Sequence, residues 1–315
     1  MNYKSLYEKE LSNLSTQFFI FDTKGSGAKH DDADFKKYSW RTNKFGLVKP
    51  GDLFIYRRPG KSSETRKFYF FGAGKIETIT PALNTCTEVD DKTRVNGVIN
   101  KPFPFVNNIH PDELENFRWS FKERKPDTWM YFFNQYGMNK IDKEDFMALM
   151  ELAECNIDID YDNEAATEAL QDIQNENYHA DDETCESKRR SKQSVFSNKV
   201  KNNYGNACAL CGIQTKAMLI GSHIIPWATR KDIRLDPSNG ISLCVMHDKL
   251  FDTGYITLSS QLKVVVSEAV NKDQSLKAVT DLIKGLKLRK PIYSAPKEEY
   301  LEHHRNIVFE KFLKD

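Results

Sequence analysis

Two closely spaced residue pairs, one Cys–Cys and one Cys–His, lie about 30 residues apart and constrain this chain more than any other feature of its sequence. Cys208 and Cys211 form a Cys-x-x-Cys pair, and Cys244 and His247 form a Cys-x-x-His pair. Each spacing places two ligands on one tight turn, so two pairs supply the four ligands of a tetrahedral zinc site. The residues before the first pair do not indicate the βαβ unit of a redox-active Cys-x-x-Cys. We therefore predict a structural Zn²⁺ held by these four side chains.

The residues between the two pairs predict a strand, a polar loop and a second strand. Residues 218–225 are mostly apolar and β-branched, which favours a strand with His223 near its end. Pro226 stops further strand pairing. Asn239 and Gly240 then signal a turn before a short apolar piece.

A short helix is predicted directly after the second strand. From Val245 onward the apolar residues recur at helical spacing. Asp248 and Asp252 are four residues apart, so their carboxylates share one face of this helix. Strand, loop, strand and helix beside a metal form a ββα-metal arrangement.

This stretch resembles the HNH endonuclease family, in the branch with the motif NG-x-x-L-x-x-x-[HY]-D-x-x-F-D-x-G. The likeness runs from Cys208 to about Ile256, and a tail of the same branch lies between Pro291 and Phe309. The resemblance implies a metal-dependent endonuclease that hydrolyses phosphodiester bonds.

The resemblance also implies a role for each motif residue. His223 resembles the general base that deprotonates the attacking water, a task that needs a pKa near neutrality. Asn239 resembles the asparagine that orients this histidine or its loop. Asp248, at a catalytic position of the motif, and Asp252 offer hard oxygen ligands, which suit Mg²⁺ or Mn²⁺.

Two positions depart from the usual family pattern. Ser222 precedes His223, where many relatives carry an aspartate or histidine that binds the metal. His247 can serve either the zinc site or the catalytic metal. We assign it to zinc because Cys244-x-x-His247 then mirrors the first pair, which leaves Asp248 and Asp252 for the catalytic cation.

The remainder of the chain predicts a two-domain protein of the cytoplasm. The 315 residues carry a net charge of +1, so DNA contacts must come from local patches rather than from a wholly basic surface. No apolar run is long enough to span a membrane, and the polar N-terminus does not resemble a signal peptide. Six cysteines, most of them assigned to metal or isolated, fit a reducing compartment.

The N-terminal part resembles the PUA-like superfamily, which includes the EVE, ASCH and SRA domains. Predicted strands at 53–56 and 68–76 flank a basic loop, in the order "pGDlfiYrr … fyffGaGkI". The resemblance implies a compact barrel that reads modified bases in DNA, and such readers occur fused to HNH nucleases in modification-dependent restriction systems. A generic β-barrel without a reading role is the alternative.

A base reader needs an aromatic pocket, because a flipped base stacks between rings. Trp40 is our first candidate, since it lies in a polar setting beside Arg41. Arg57 and Arg58 open the basic loop and are predicted to contact DNA phosphates.

The charge pattern places a boundary between the two predicted domains. Residues 151–187 contain no lysine or arginine, which is typical of a linker or a solvated helix. An alternative is that this acidic arm mimics DNA and covers the nuclease site. The basic residues that follow, and one in the loop after His223, are predicted DNA contacts: Lys188, Arg189, Arg190 and Arg230.

The sequence thus predicts an α+β protein. Its parts are a mostly β, PUA-like domain over 1–150, an acidic linker or helix over 151–187 and a ββα-metal HNH domain over 188–315. We expect a prokaryotic restriction or defence endonuclease that acts on double-stranded DNA and reads a modified base, either as a monomer or as a homodimer. The alternatives are a sequence-specific nuclease for unmodified DNA, a ligand-activated nuclease effector and a catalytically dead DNA-binding protein.

Overall fold

The chain folds into two compact units, which we describe from a computed structural model. One unit comprises Met1–Gln171 with Glu186–Ser191, and the other comprises Asp172–Cys185 with Lys192–Asp315. The structure describes residues 2–24, 32–43, 45–63, 65–82, 93–115, 117, 119–120, 133, 137–154 and 162–309.

The N-terminal unit is built on one six-stranded sheet. Its strands are β1 (Phe18–Asp22), β2 (Lys37–Arg41), β3 (Leu53–Arg58), β4 (Tyr69–Pro81), β5 (Arg94–Ile109) and β6 (Met138–Ile141). Its helices are α1 (Tyr3–Leu6), α2 (Glu8–Ser12), α3 (Lys143–Glu154) and α4 (Asn163–Gln174). The strand order is β2-β5-β4-β3-β1-β6, with β1 and β3 parallel and the other neighbours antiparallel.

Both faces of this sheet are covered by apolar side chains, because successive residues of a strand point to opposite sides. Along β1, Phe18 and Ile20 join a core with Phe146 of α3. Phe19 and Phe21 join a second, largely aromatic core on the other face. The sequences of the central strands are therefore continuous apolar runs and do not alternate between apolar and polar residues.

The strand β5 is longer than the local sequence pattern indicates. It continues past Pro104 to Ile109 and pairs with β4. Pro104 lies opposite Gly72, between two shifts of the register. A proline is tolerated there because bulges interrupt the regular ladder of hydrogen bonds.

The second unit begins on a long helix and ends on a short one. Its helices are α5 (Glu186–Asn203, whose first six residues belong to the N-terminal unit), α6 (Val245–Asp252), α7 (Gln274–Asp281) and α8 (Glu298–His303), followed by a π-helical turn, His304–Val308. Its strands are β7 (Leu219–His223), β8 (Gly240–Cys244), β9 (Ile256–Leu258) and β10 (Val264–Val266). The strands form two antiparallel hairpins, β7 with β8 and β9 with β10.

Two glycines let α5 pack directly on the β7–β8 hairpin. A Cβ atom at Gly240 would lie 2.2 Å from Val200 and 2.9 Å from the ring of Phe196. A Cβ atom at Gly221 would lie 2.6 Å from the Cα atom of Ser197. Any larger residue at either position would force helix and hairpin apart.

The predicted α+β class is confirmed, and so is the order strand, loop, strand and helix over residues 219–252. Among the described residues, no helix combines the length and the apolar character needed to cross a membrane.

Candidate active site

The two predicted ligand pairs meet in one cluster. The ligand atoms of Cys208, Cys211, Cys244 and His247 all lie within 4.8 Å of one another. His247 Nδ1 is 3.4 Å from the sulfur of Cys208 and 3.3 Å from that of Cys244, and the sulfurs of Cys211 and Cys244 are 3.9 Å apart. Ligands about 2.3 Å from a tetrahedral zinc ion lie about 3.8 Å from each other. The cluster can therefore hold a zinc ion.

The first pair lies on a tight turn that the backbone closes. The amide of Cys208 donates to the carbonyl of Ile213, and the amide of Gly212 donates to the carbonyl of Cys208. Gly212 has φ +81°, a conformation that favours glycine. Burial opposes ionisation of Cys208, but its hydrogen bonds with His247 and with backbone amides lower the pKa of this thiol to about 6. Thiolate is the form of cysteine that binds metal.

The second pair connects this cluster to the start of α6. Cys244 ends β8 and caps α6, so His247 lies in the first turn of the helix. Asp248 follows directly and Asp252 lies one turn later. Strand β8 also pairs with β7, and the last residue of β7, His223, lies opposite Gly240 in this pairing. The β7–β8 hairpin and α6 thus fix the positions of both the Cys/His cluster and the group formed by His223, Asp248 and Asp252.

An open cavity of about 350 Å³ lies beside this hairpin and helix. Its lining includes the three ionisable residues predicted for catalysis, His223, Asp248 and Asp252. The other lining residues are Ile220, Gly221, Ser222, Ile224, Pro226, Trp227, His304 and Val308. The fold therefore brings the predicted base and both predicted metal-binding carboxylates to one cavity.

His223 is held in a defined orientation. Its Nε2 atom lies 3.0 Å from the carbonyl oxygen of Arg234. A carbonyl only accepts, so Nε2 must carry the hydrogen, and the lone pair of the neutral ring is on Nδ1. Among the described residues, no group hydrogen-bonds to that Nδ1 atom. Burial lowers the pKa of His223 to about 4, below the near-neutral value expected for the base from the sequence, so at neutral pH the ring is uncharged and its Nδ1 lone pair is available.

Asn239 ties together the two backbone segments that flank this histidine. Its side chain is buried; the carbonyl oxygen accepts from the amide of Ile225 at 2.8 Å, and Nδ2 donates to the carbonyl of Ile225 at 3.1 Å. The same Nδ2 lies 3.5 Å from the carbonyl of Ile233. Asn239 therefore orients the loop after His223, as the sequence predicts.

The two aspartates of α6 interact through their charges. Burial and then repulsion by Asp248 raise the pKa of Asp252 to about 6, and burial raises the pKa of Asp248. The buried hydroxyl of Ser222 makes no hydrogen bond of normal geometry, but it lies near enough to Asp248 to offset part of that rise. Two carboxylates that repel each other beside a cavity are a donor set suited to a divalent cation.

The comparison with known families bears directly on this hairpin and helix. A family model described as HNH endonuclease matches residues 208–259. Residues 208–259 are an HNH endonuclease domain. The matched range contains all four zinc-type ligands, His223, Asn239 and both aspartates of α6. The prediction of an HNH endonuclease from the motif is confirmed.

Solved structures align with parts or most of the chain at low TM-scores. Human THYN1 protein in complex with 5-methylcytosine containing DNA aligns with 45% of this chain and 100% of its own, at 11% identity and a TM-score of 0.33. The modification dependent TagI restriction endonuclease aligns with 97% of this chain and 90% of its own, at 13% identity and a TM-score of 0.28. No curated protein sequence matches this chain.

A second cavity, outside the HNH domain, lies in the N-terminal unit and contains Trp40. Its volume is about 380 Å³. Tyr38 and Trp40 on β2 contribute two aromatic rings, with centroids 6.3 Å apart. Arg41 and Arg94 also line it and face each other across the β2–β5 register. The remaining lining residues are Asp22, Lys24, Asp32, Ser39, Phe45, Pro59, Gly137 and Met138.

The structure corrects the prediction that Arg57 and Arg58 contact DNA. Both lie inside β3 rather than in a solvated loop, and their residues are 2% and 7% exposed. Arg57 makes a two-point ion pair with Asp22 at 2.6 Å, and Arg58 pairs with Asp34 at 2.5 Å. These guanidinium groups are held by carboxylates within the unit, so their position does not suit contact with DNA phosphates.

The other predicted DNA contacts lie on the surface. Lys188, Arg189 and Arg190 are exposed in the first turns of α5, where the two arginines pair with Glu186. Arg230 is also exposed and pairs with Asp232. Their role in binding stays a prediction.

Two supporting residues of the HNH domain were missed by the sequence analysis. The ring of Phe196 on α5 stacks on His223 at 3.7 Å, and Arg234 supplies the carbonyl that binds Nε2. In the sequence, Phe196 belongs to a helical apolar pattern and Arg234 to a polar, charged stretch. Neither pattern indicates a contact with His223.

Proposed function

We propose that this protein is a metal-dependent restriction endonuclease that cuts double-stranded DNA and reads a modified base through its N-terminal unit. One observation carries the nuclease half of the proposal. His223, with the lone pair on Nδ1, lines the same cavity as the Asp248 and Asp252 carboxylates. This arrangement supports a base and a cation site that act together on one scissile phosphate.

The chemistry of His223 begins with a water molecule in this cavity. Nδ1 accepts a proton from the water as its oxygen attacks phosphorus, and the ring becomes a cation. The bond between phosphorus and the leaving sugar oxygen breaks in the same reaction, and that oxygen takes a proton from solvent. The carbonyl of Arg234 continues to accept from Nε2, which stabilises the charged ring and keeps its orientation. Asn239 keeps the loop after His223 in place during this step.

Asp248 and Asp252 are the residues that we propose to bind Mg²⁺ or Mn²⁺. Such a cation supplies positive charge that stabilises the scissile phosphate and the departing oxygen. Binding by Asp252 requires its ionised form, and the charge of the cation reverses the repulsion that raises its pKa. We further propose that Zn²⁺ occupies the cluster of three cysteines and His247 and has a structural role.

The cavity of the N-terminal unit supports the reading half of the proposal. Tyr38 and Trp40 border this cavity, but both are buried in the aromatic core, only 5% and 8% exposed, contrary to the polar setting that the sequence suggests for Trp40. A flipped base would have to stack on the edge of these rings that borders the cavity. Arg41 and Arg94 line the same cavity and offer positive charge to a DNA phosphate. Phe45 and Met138 add apolar lining that suits a methyl substituent.

The HNH family model matches residues 208–259, and we propose that one such domain cuts one strand at a time. Double-strand cleavage would then require two chains, and we include a homodimer on DNA in the proposal. Sedimentation of the protein with and without DNA tests this point separately from catalysis.

The decisive experiment is cleavage of matched plasmids in Mg²⁺ or Mn²⁺, one unmodified and the others carrying 5-methylcytosine or 5-hydroxymethylcytosine. The variants are His223→Ala, Asp252→Asn and Trp40→Ala, with Asp281→Asn as a carboxylate control on α7. We expect the first two variants to abolish cleavage and Trp40→Ala to remove the preference for modified DNA.

Each alternative predicts a different result. Equal cleavage of all plasmids at fixed sites would select a sequence-specific nuclease and remove the reading function. Cleavage that starts only after a small molecule is added would select a ligand-activated effector. Binding without any cleavage, in either metal, would select a catalytically dead DNA-binding protein, for which Ser222 before His223 would be the first explanation.

A further inference from the structure

Arg234 connects His223 to the acidic stretch that precedes α5. Its backbone carbonyl accepts from His223 Nε2 at 3.0 Å. Its side chain is 3% exposed and donates to three acceptors, each at 2.8 Å. The acceptors are the carbonyl of Trp227, the carbonyl of Ala180 and the carboxylate of Asp182. Main chain and side chain of one residue thus link the base to residues 178–183, which we name the acidic segment.

The acidic segment also pairs with the backbone on both sides of Arg234. The amide of Ala180 donates to the carbonyl of Lys231 at 3.0 Å, and the amide of Leu235 donates to the carbonyl of Tyr178 at 3.0 Å. Lys231 adds an ion pair with Asp182 at 2.7 Å. The loop that carries the Arg234 carbonyl is therefore held by hydrogen bonds and ion pairs from a segment about 50 residues earlier in the chain rather than by regular secondary structure of its own.

A buried guanidinium is stable only where acceptors replace the water it loses. Ala180 and Asp182, both in the acidic segment, supply two of the three acceptors of Arg234. The indole of Trp227 covers the guanidinium, whose carbon lies 5.0 Å from the ring centroid. Without the acidic segment, Arg234 would have to move toward solvent, and its carbonyl would move with it.

The acidic segment does not act by covering the active site. The cavity is lined by residues of 220–227, by Asp248 and Asp252, and by His304 and Val308, and none of residues 178–183 is among them. The suggestion that the acidic arm mimics DNA over the nuclease site is therefore not supported for this segment. Its hydrogen bonds lead to His223 through Arg234.

We propose that Arg234 is a positioning residue of the nuclease reaction, which sets the orientation and tautomer of His223 through its carbonyl while Ala180 and Asp182 hold its side chain. The proposal rests on the proposed role of His223 as the base. In this arrangement Ala180 and Asp182 help to position the base instead of belonging to a passive linker. A nuclease domain cut from the chain at residue 188 would lack it.

The test compares two adjacent aspartates in the full-length protein. Asp182→Asn weakens the pair with Arg234, whereas Asp181→Asn removes a carboxylate that contacts His179 and Lys231 but not Arg234. Arg234→Gln removes the guanidinium, and Arg234→Lys keeps the charge with fewer donors. The measurements are kcat and KM on a plasmid that the wild type cuts, and the tautomer of His223 from ¹⁵N chemical shifts of labelled histidine without DNA.

We expect Arg234→Gln to lower kcat by about 10- to 100-fold with little change in KM, because a displacement of about 1 Å at a reacting group has effects of this size. Asp182→Asn should lower kcat in the same direction, Arg234→Lys should recover part of the activity, and Asp181→Asn should match the wild type. The two damaging variants should also show a mixture of His223 tautomers.

A wild-type tautomer signal together with kcat within twofold of wild type in both Arg234→Gln and Asp182→Asn would overturn the proposal. If Arg234→Gln does not fold, Asp182→Asn decides alone, since it changes one atom of a side chain that is 68% exposed. Normal cleavage by His223→Ala would instead overturn the proposed function. The tautomer signals would then still report whether Arg234 sets the ring.

Discussion

The imidazole of His223 lies flat on the phenyl ring of Phe196, with centroids 3.7 Å apart and 12° between the planes. Phe196 belongs to α5, and its ring also lies against Gly240, the residue opposite His223 in the hairpin. Helix α5 therefore packs against one face of the His223 ring through Phe196.

The first prediction concerns the stacking of Phe196 on His223. Phe196→Leu leaves an apolar side chain but removes the flat surface, so His223 gains freedom to rotate about its side-chain bonds. We expect kcat to fall about tenfold with KM nearly unchanged, and stability to fall by about 1–2 kcal/mol. Leu301→Ala, in the core of the same unit, is the control for stability alone. Equal losses of kcat in both variants would mean that the stacking has no role in catalysis.

The second prediction concerns the cluster of three cysteines and His247. We expect one zinc per chain by elemental analysis, lost in Cys211→Ser but retained in Cys185→Ser, whose cysteine is exposed and outside the cluster. Structural zinc contributes roughly 10 kcal/mol or more to the folding of small domains. Chelation or Cys211→Ser should therefore unfold the HNH domain, seen as rapid hydrogen exchange over residues 208–259. Full zinc content in Cys211→Ser would contradict the assignment.

The third prediction concerns His304, a second stacked histidine. Its ring lies 3.7 Å from that of Phe251, its Nε2 donates to the carbonyl of Phe251, and its Nδ1 accepts from the hydroxyl of Thr257. Burial lowers its pKa to about 4, so the folded state binds fewer protons than the unfolded state between pH 6.5 and 4. Its stabilisation is complete above pH 6.5 and disappears as the pH falls toward 4.

The change amounts to about 3 kcal/mol, from roughly 1.4 kcal/mol for each unit of pKa. His304→Gln does not titrate, so the stability difference between the wild type and this variant should shrink by that amount from pH 6.5 to 4. Hydrogen exchange of amides in β7 to β9 measures it locally. A difference that stays constant with pH would show that His304 does not carry this dependence.

The fourth prediction separates exposed from buried cations. Neutralising Lys188, Arg189 and Arg190 together should weaken binding to DNA and reduce the slope of log K against log salt by about 0.9 for each phosphate that the variant no longer neutralises. Arg57→Gln should instead leave that slope unchanged and destabilise the N-terminal unit by roughly 3–5 kcal/mol, because it strands the buried carboxylate of Asp22. An unchanged slope in the triple variant would remove these residues from the DNA interface.

Local spacing predicted most of the HNH domain correctly. Ligands three residues apart and carboxylates four apart lie close together in the fold because one turn or one helix fixes their distance. The same holds for the hairpin, whose ends are set by Pro226 and by the turn before Gly240.

Pairings between distant parts of the chain could not be predicted in this way. Nothing within a short window around Arg57 indicates that Asp22 lies beside it, 35 residues earlier, and a basic run reads as surface until its partner is known. His304 likewise meets Thr257 and Phe251 only through the packing of the closing helix, 47 and 53 residues away. The extent of β5 was missed because its bulges, which accommodate the proline, depend on the register with β4.

The adjacency of His247 and Asp248 in α6 has a chemical consequence. His247 belongs to the cluster with the three cysteines, and Asp248, the next residue, lines the cavity. The turn of α6 that presents Asp248 is therefore anchored at the sulfur atoms around His247. Oxidation of a ligand thiolate to a sulfenic acid or a disulfide abolishes its ability to hold a metal. We therefore expect peroxide to inhibit cleavage, although no cysteine is among the described residues that line the cavity, and we expect a reductant supplied together with zinc to restore it.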